Sequence, residues 1–96
     1  NGAIRDFRED SAAEMSCVIT KDGPKPLAVG YLPVAVSGLV TEIKAFEILA
    51  AKAAVEGDYN AALQALCINP LIPSDDLAKT ILDEMLEAHK EYLPQF

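Results

Sequence analysis

Gly57-Asp58-Tyr59-Asn60-Ala61-Ala62-Leu63-Gln64-Ala65-Leu66-Cys67-Ile68-Asn69-Pro70-Leu71-Ile72-Pro73 is the stretch from which the fold is read. It ends one helix, holds a second and prepares a third. Gly57 suits the position just past a helix end, where a left-handed conformation is wanted. Asp58 then offers a side-chain oxygen to the orphan N–H groups of the next helix. Ala62, Leu63 and Leu66 give that helix an inward face. Asn69-Pro70 stops it, because a residue before proline is pushed out of the α region.

Downstream, Pro73-Ser74-Asp75-Asp76 opens the last helix. Ser74 is its natural cap, and the two aspartates favour the positive end of the helix dipole. Leu77 or Ala78, Ile81 and Leu82, Met85, His89 and Tyr92 form its apolar stripe, and Pro94 ends it. Upstream, Tyr31-Leu32-Pro33 leads into a long helix, since a proline is tolerated in the first turn. Val36, Leu39, Val40, Ile43, Phe46, Ala50 and Ala53 recur at intervals of three and four and share one face. Ile48, Leu49 and Val55 widen that stripe, which predicts a helix buried on more than one side.

The chain before Tyr31 reads as β. From Glu14 to Thr20 it alternates, with Met15, Cys17 and Ile19 on one face, the pattern of a half-buried strand. Lys21-Asp22-Gly23-Pro24 is a turn, and Pro26 to Gly30 returns as the second strand of a hairpin. Pro24 and Pro26 suit an edge strand or a wide loop. Ala3 to Phe7 predicts a short strand or coil, followed by a charged surface loop. The fold class expected is α+β, a β-hairpin followed by three helices.

The chain has 96 residues, which is one domain at most, here residues 1–96. Such a chain buries about 60–65% of its unfolded surface, so its core is thin. A net charge of −7, from 15 acids against 8 scattered Lys and Arg, excludes the basic stripe a nucleic-acid binder needs. The same imbalance disfavours an anionic membrane surface. No apolar run reaches the roughly 18 residues of a membrane helix. Asn1 is not a start Met, and the chain is expected to begin inside a longer reading frame. Cys17 and Cys67, each among apolar neighbours, are expected to be buried free thiols, which points to a cytoplasmic setting.

No phosphate-cradling glycine loop, His-Glu-x-x-His or Gly-x-Ser-x-Gly occurs. His89, the one histidine, falls near a helix C-terminus, where a cation favours the dipole. Asp75 and Asp76 could mimic paired catalytic carboxylates, but adjacent acids in a first turn usually complement the dipole. Arg5 and Arg8 suit bidentate phosphate binding, or simply a solvated loop. Tyr31, Tyr59, Tyr92 and Phe96 would either anchor a partner surface or fill the domain's own core.

A run of short segments resembles glycoside hydrolase family four. They include Asn1-Gly2-Ala3-Ile4, Pro26-Leu27-Ala28-Val29-Gly30-Tyr31-Leu32-Pro33, and Gly38-Leu39-Val40 with Lys44-Ala45-Phe46-Glu47. Ala53-Ala54-Val55-Glu56-Gly57-Asp58-Tyr59, Ala62-Leu63-Gln64-Ala65-Leu66 and Asn69-Pro70-Leu71-Ile72-Pro73 continue the likeness. Leu82-Asp83-Glu84 and Tyr92-Leu93-Pro94-Gln95-Phe96 complete it. The resemblance spans nearly the whole chain and touches no catalytic signature. It implies the C-terminal segment of a two-part enzyme, within a lactate-dehydrogenase-like C-terminal domain, the N-terminal NAD-binding half being absent.

The activity implied is hydrolysis of phosphorylated β-glucosides, a phosphorylated disaccharide being the substrate. The cofactors implied are NAD and a divalent metal, manganese. Members oxidise the sugar at C3, which acidifies the C2 proton; a base removes it, the aglycone leaves, water adds, and the ketone is reduced again. The family's dinucleotide loop, metal ligands, tyrosine base and phosphate-binding residues lie upstream, and none maps onto a position here. The motifs around Cys17 and His89 do not match those of the metal ligands. No catalytic, cofactor-binding or metal-binding residue is therefore assigned. The chain alone is expected to be inactive and structural, with the long helix and hairpin packing on the catalytic half. Apolar faces left uncovered would favour self-association, and a homo-oligomer is expected. The alternatives are a free-standing acidic helical interaction module and another family activity: a 6-phospho-α-glucosidase, an α-galactosidase or an α-galacturonidase.

Overall fold

A computed structural model describes residues Gly2–Phe96; Asn1, the first residue of the stretch Asn1-Gly2-Ala3-Ile4, lies outside the described residues. Two strands precede three helices: β1 Cys17–Thr20, β2 Gly23–Pro26, α1 Val34–Glu56, α2 Tyr59–Ile68 and α3 Asp75–His89. This is the α+β order expected. The chain divides into two compact units, Asn1–Thr41 and Glu42–Phe96.

In the first unit β1 and β2 pair antiparallel, with Cys17 opposite Pro26, Val18 opposite Lys25, Ile19 opposite Pro24 and Thr20 opposite Gly23. The returning strand is thus Gly23–Pro26 rather than Pro26 to Gly30. Antiparallel pairs alternate between hydrogen-bonded and non-bonded. Leu27 donates to the Ser16 carbonyl at 3.0 Å, which sets residues 23, 25 and 27 facing β1. Pro24 and Pro26 therefore turn their missing N–H groups to the outer edge, at no cost to the ladder. The turn is closed by Gly23 at φ +96° and by the Thr20 hydroxyl, which donates to the Gly23 carbonyl at 2.9 Å.

The strand expected over Ala3 to Phe7 is reduced to a single parallel bridge between Ile4 and Gly30. Arg5 donates to Gly30 and Val29 to Ala3 across it. Beyond it the Asp6 carboxylate accepts the Leu32 N–H at 2.6 Å. The Pro33 carbonyl then accepts from Val36 and Ser37, which starts α1.

The half-burial expected of β1 is not found. Val18 is 51% and Ile19 77% exposed, and Cys17 is an exposed free thiol. The ribbon has two strands only, and alternation marks which face wants cover without supplying it. Cys67 is free and half-buried.

In the second unit the expected punctuation is realised at the end of α1, at both ends of α2 and at the start of α3, but α3 stops at His89 rather than at Pro94, which leaves Tyr92 in the turns beyond the helix. Gly57 takes φ +68° and donates to the Ala53 carbonyl at 2.9 Å. The Asp58 carboxylate accepts from the Ala61 N–H at 3.0 Å, and the Ser74 hydroxyl from the Leu77 N–H at 3.2 Å. Asn69 leaves the helix at ψ 120°, as its following proline requires. Ala53, Ala61, Ala65, Ala78 and Leu82 are the buried residues of this unit. Alanine at four of these five places lets helices approach closely, but removes little apolar area from water. The part of α1 in this unit is correspondingly bare, with Val55 83% exposed and Ile48 exposed too; in the first unit Val36 and Leu39 of the same helix are also exposed. The expectation of burial on more than one side fails within this chain, because its large apolar side chains outnumber the surfaces available to cover them.

Candidate functional site

Two features of the second unit stand out, an apolar groove and a polar cluster. The groove, of about 240 Å³, is lined by Phe46, Ala50, Ala53 and Ala54 of α1, by Ala62, Ala65 and Leu66 of α2, by Leu82, Met85, Leu86 and His89 of α3, and by Leu93 and Phe96. Its shape follows from the alanines, which leave a hollow where the longer side chains around them diverge. His89 stands on its wall, but its Nδ1 is tied to the Met85 carbonyl at 2.9 Å, one turn back on its own helix.

The cluster joins α2 to α3. The Tyr59 hydroxyl donates to Asp83 Oδ1 at 2.7 Å, and Lys79 donates to Asp83 Oδ2 at 2.5 Å. Lys79 holds the Asp83 carboxyl below its ordinary range, with the Tyr59 hydrogen bond adding to the effect. The same bond to a carboxylate pushes the Tyr59 phenol up. One carboxylate shared by the Tyr59 phenol and the Lys79 ammonium ties the two helices together.

The remaining candidates disperse. Arg8 donates from Nε and Nη2 to the two carboxylate oxygens of Asp10, which raises Arg8 and lowers Asp10. Arg5 lies over the Tyr31 ring at 5.5 Å. Asp75 and Asp76 lie in the first turn of α3, with the Thr80 hydroxyl donating to the Asp76 backbone carbonyl. The Asp58 carboxyl is held low by the Ala61 N–H and then by Lys52, 3.2 Å away. Burial, with Asp75 adding to it, pushes the Cys67 thiol up, away from the reactive thiolate. Tyr92 is exposed, and Phe96 stands at the groove. The i,i+4 spacing of Lys79 and Asp83 was legible in the sequence. The reach of Tyr59 to them was not, because it depends on how α2 and α3 pack.

Among the described residues no group of three or more His, Cys, Asp or Glu side chains is placed to hold a metal ion. No helix among them is long and apolar enough to cross a membrane.

Fold and surface together define an α+β module with a thin alanine core and much apolar area turned outward. The chain belongs to the family 4 glycosyl hydrolases: residues 1–72 match the model of the family's C-terminal domain. It is 68% identical over all 96 residues to a probable 6-phospho-beta-glucosidase of Bacillus subtilis (strain 168), of which it covers 22%. Over 97 aligned residues it is 39% identical to the 6-phospho-beta-glucosidase of Escherichia coli (strain K12), again covering 22%. A solved 6-phospho-alpha-glucosidase from gut microorganisms, in complex with NAD and glucose-6-phosphate, superposes with a TM-score of 0.91 at 40% identity. That match covers the whole of this chain and 22% of the solved one. A second such enzyme, in complex with NAD and Mn2+, gives a TM-score of 0.85 at 36% identity, covering 93% of this chain and 21% of its own. The chain thus spans about a fifth of the length of the relatives it matches.

Proposed function

We propose that this chain is the structural C-terminal part of a 6-phospho-β-glucosidase, an enzyme that hydrolyses phosphorylated β-glucosides through NAD- and manganese-dependent oxidation and elimination. The observation that carries the reading is the 68% identity to the Bacillus subtilis protein along the full chain. The solved relatives with NAD and Mn2+ support the cofactors. This chain's own residues do not fit either group: it has no glycine-rich phosphate loop, and its described residues hold no metal-ligating cluster. No catalytic step is therefore routed through it.

Its part in such an enzyme is to supply apolar surface. Val34, Leu71 and Val55 are 94%, 85% and 83% exposed, and covering them against the catalytic half would stabilise both. We assign the whole to a cytoplasmic homo-oligomer, with neither nucleic acid nor membrane as a partner, in keeping with the acidic charge.

The α-specific activity of the solved relatives is the competing reading, at 40% and 36% identity against 68% for the β-type. Paired assays separate them. The full-length enzyme with NAD and manganese is expected to release nitrophenol from a 6-phospho-β-glucoside much faster than from the α-anomer, while residues 1–96 alone release none. Faster cleavage of the α-anomer refutes the subtype, and turnover by the isolated chain refutes the structural role.

A further inference from the structure

Four glycines take positive φ: Gly2, Gly23, Gly30 and Gly57. A Cβ added to the first three would meet nothing within 4 Å, whereas at Gly57 it would overlap the backbone carbonyl of Gln95. Two segments far apart in sequence are thus pressed backbone to backbone. The Gln95 side chain completes the contact, donating from Nε2 to the Ala54 carbonyl at 2.9 Å. Ala54 lies in the last turn of α1, where carbonyls have no partner within their own helix. Successive turns, Tyr92 to His89, Leu93 to Lys90 and Phe96 to Leu93, carry the chain from α3 to this place. Leu93 and Phe96 then lie along the apolar groove with Phe46, Leu66 and Met85.

We propose that Leu93–Phe96 is a strap that closes one side of the groove and clamps the break between α1 and α2, with Gly57 and Gln95 as its matched pair. The bare Cα of Gly57 admits the strap's backbone, and the Gln95 amide caps the open end of α1. The two stretches that punctuate the sequence, around Gly57 and around Gln95, therefore form one device.

The test is amide hydrogen exchange on the full chain. Gly57→Asn keeps a residue tolerant of positive φ while adding a side chain. It is expected to speed exchange at the hydrogen-bonded amides of Tyr92, Leu93 and Phe96 by about tenfold or more, because a side chain forced into packed backbone displaces it. Gly30→Asn, with the same backbone angle but open space, is expected to leave those amides unchanged. Gln95→Met keeps the length and loses the donor; about fivefold faster exchange at the same amides is expected, the worth of one ordinary hydrogen bond. Unchanged exchange at those three amides in Gly57→Asn, or an equal effect from Gly30→Asn, overturns the strap. If Gly57→Asn does not fold, Gln95→Met decides alone, and unchanged exchange there overturns it.

Discussion

Leu71→Ala in the full-length protein tests the scaffold role most directly. Leu71 follows Pro70 in the turn between α2 and α3 and is 85% exposed within this chain. Its backbone N–H is held by the Asn69 side chain at 3.0 Å, so the side chain is presented rather than loose. Burying a leucine side chain is worth about 1.5–3 kcal/mol, and nearly all of that remains to be gained here. If the rest of the enzyme covers Leu71, truncating it to alanine removes that gain and leaves a small cavity, so a loss of about 2–3 kcal/mol is expected. If Leu71 stays in water, the loss is within about 0.5 kcal/mol. Urea unfolding followed by circular dichroism resolves the two, with Val55→Ala run in parallel and expected to cost about 1–2 kcal/mol by the same argument. Surface-like values at both positions would refute the idea that these side chains are covered by the rest of the enzyme.

Three further outcomes are expected. Leu82→Ala, at a buried position beside a groove already open, is expected to cost about 2–3 kcal/mol in urea unfolding, the low end of such truncations because little new cavity is made. Ser74→Ala removes the acceptor for the Leu77 N–H and is expected to cost about 1 kcal/mol, restored largely by Ser74→Asp. The cluster of Lys79, Asp83 and Tyr59 makes stability depend on pH at both ends, with Lys79 the larger influence on Asp83 and Asp83 the larger influence on Tyr59. The lowered Asp83 carboxyl contributes above its unfolded pKa and loses that contribution as pH falls through its folded value. The raised Tyr59 phenol contributes below its unfolded pKa and loses it as pH rises through its folded value. Asp83→Asn is expected to bring the Tyr59 phenolate absorbance transition near 295 nm to lower pH; an unmoved transition means the bond does not persist in solution.

The helix ends were legible because they are local. Gly57, Asp58, Ser74 and Asn69-Pro70 act through their own backbone angles and through bonds to residues at most four positions away, so sequence carries the whole cause. The hairpin was legible in kind but not in register. Asp22-Gly23 marks the turn, yet the return strand is set by which edge Pro24 and Pro26 must face, a property of the pair and not of either strand. The contacts of Tyr59 with Asp83, and of Gln95 with Ala54 and Gly57, were not legible at all. They join residues that only the packing of α2, α3 and the following strap brings together.

Burial was misread for a reason that itself bears on function. Periodicity says which side chains avoid water, not which molecule shelters them. The chain is 51% hydrophobic, yet its buried hydrophobic residues are Ala3, Ala53, Ala61, Ala65, Ala78 and Leu82. Val18 and Ile19 of the ribbon, Val34, Val36, Leu39, Ile48 and Val55 of α1, and Leu71 of the α2–α3 turn face outward. A free-standing domain would place its largest apolar groups inside and alanine at the margins, because burial energy scales with area. Here five of the six buried hydrophobic residues are alanine, while Val34, Leu71, Val55 and Ile19 stand largely in water. That imbalance is the arrangement expected of a surface made for contact with further protein; the family was readable for a separate reason, the segments that resemble it, and those touch no catalytic signature.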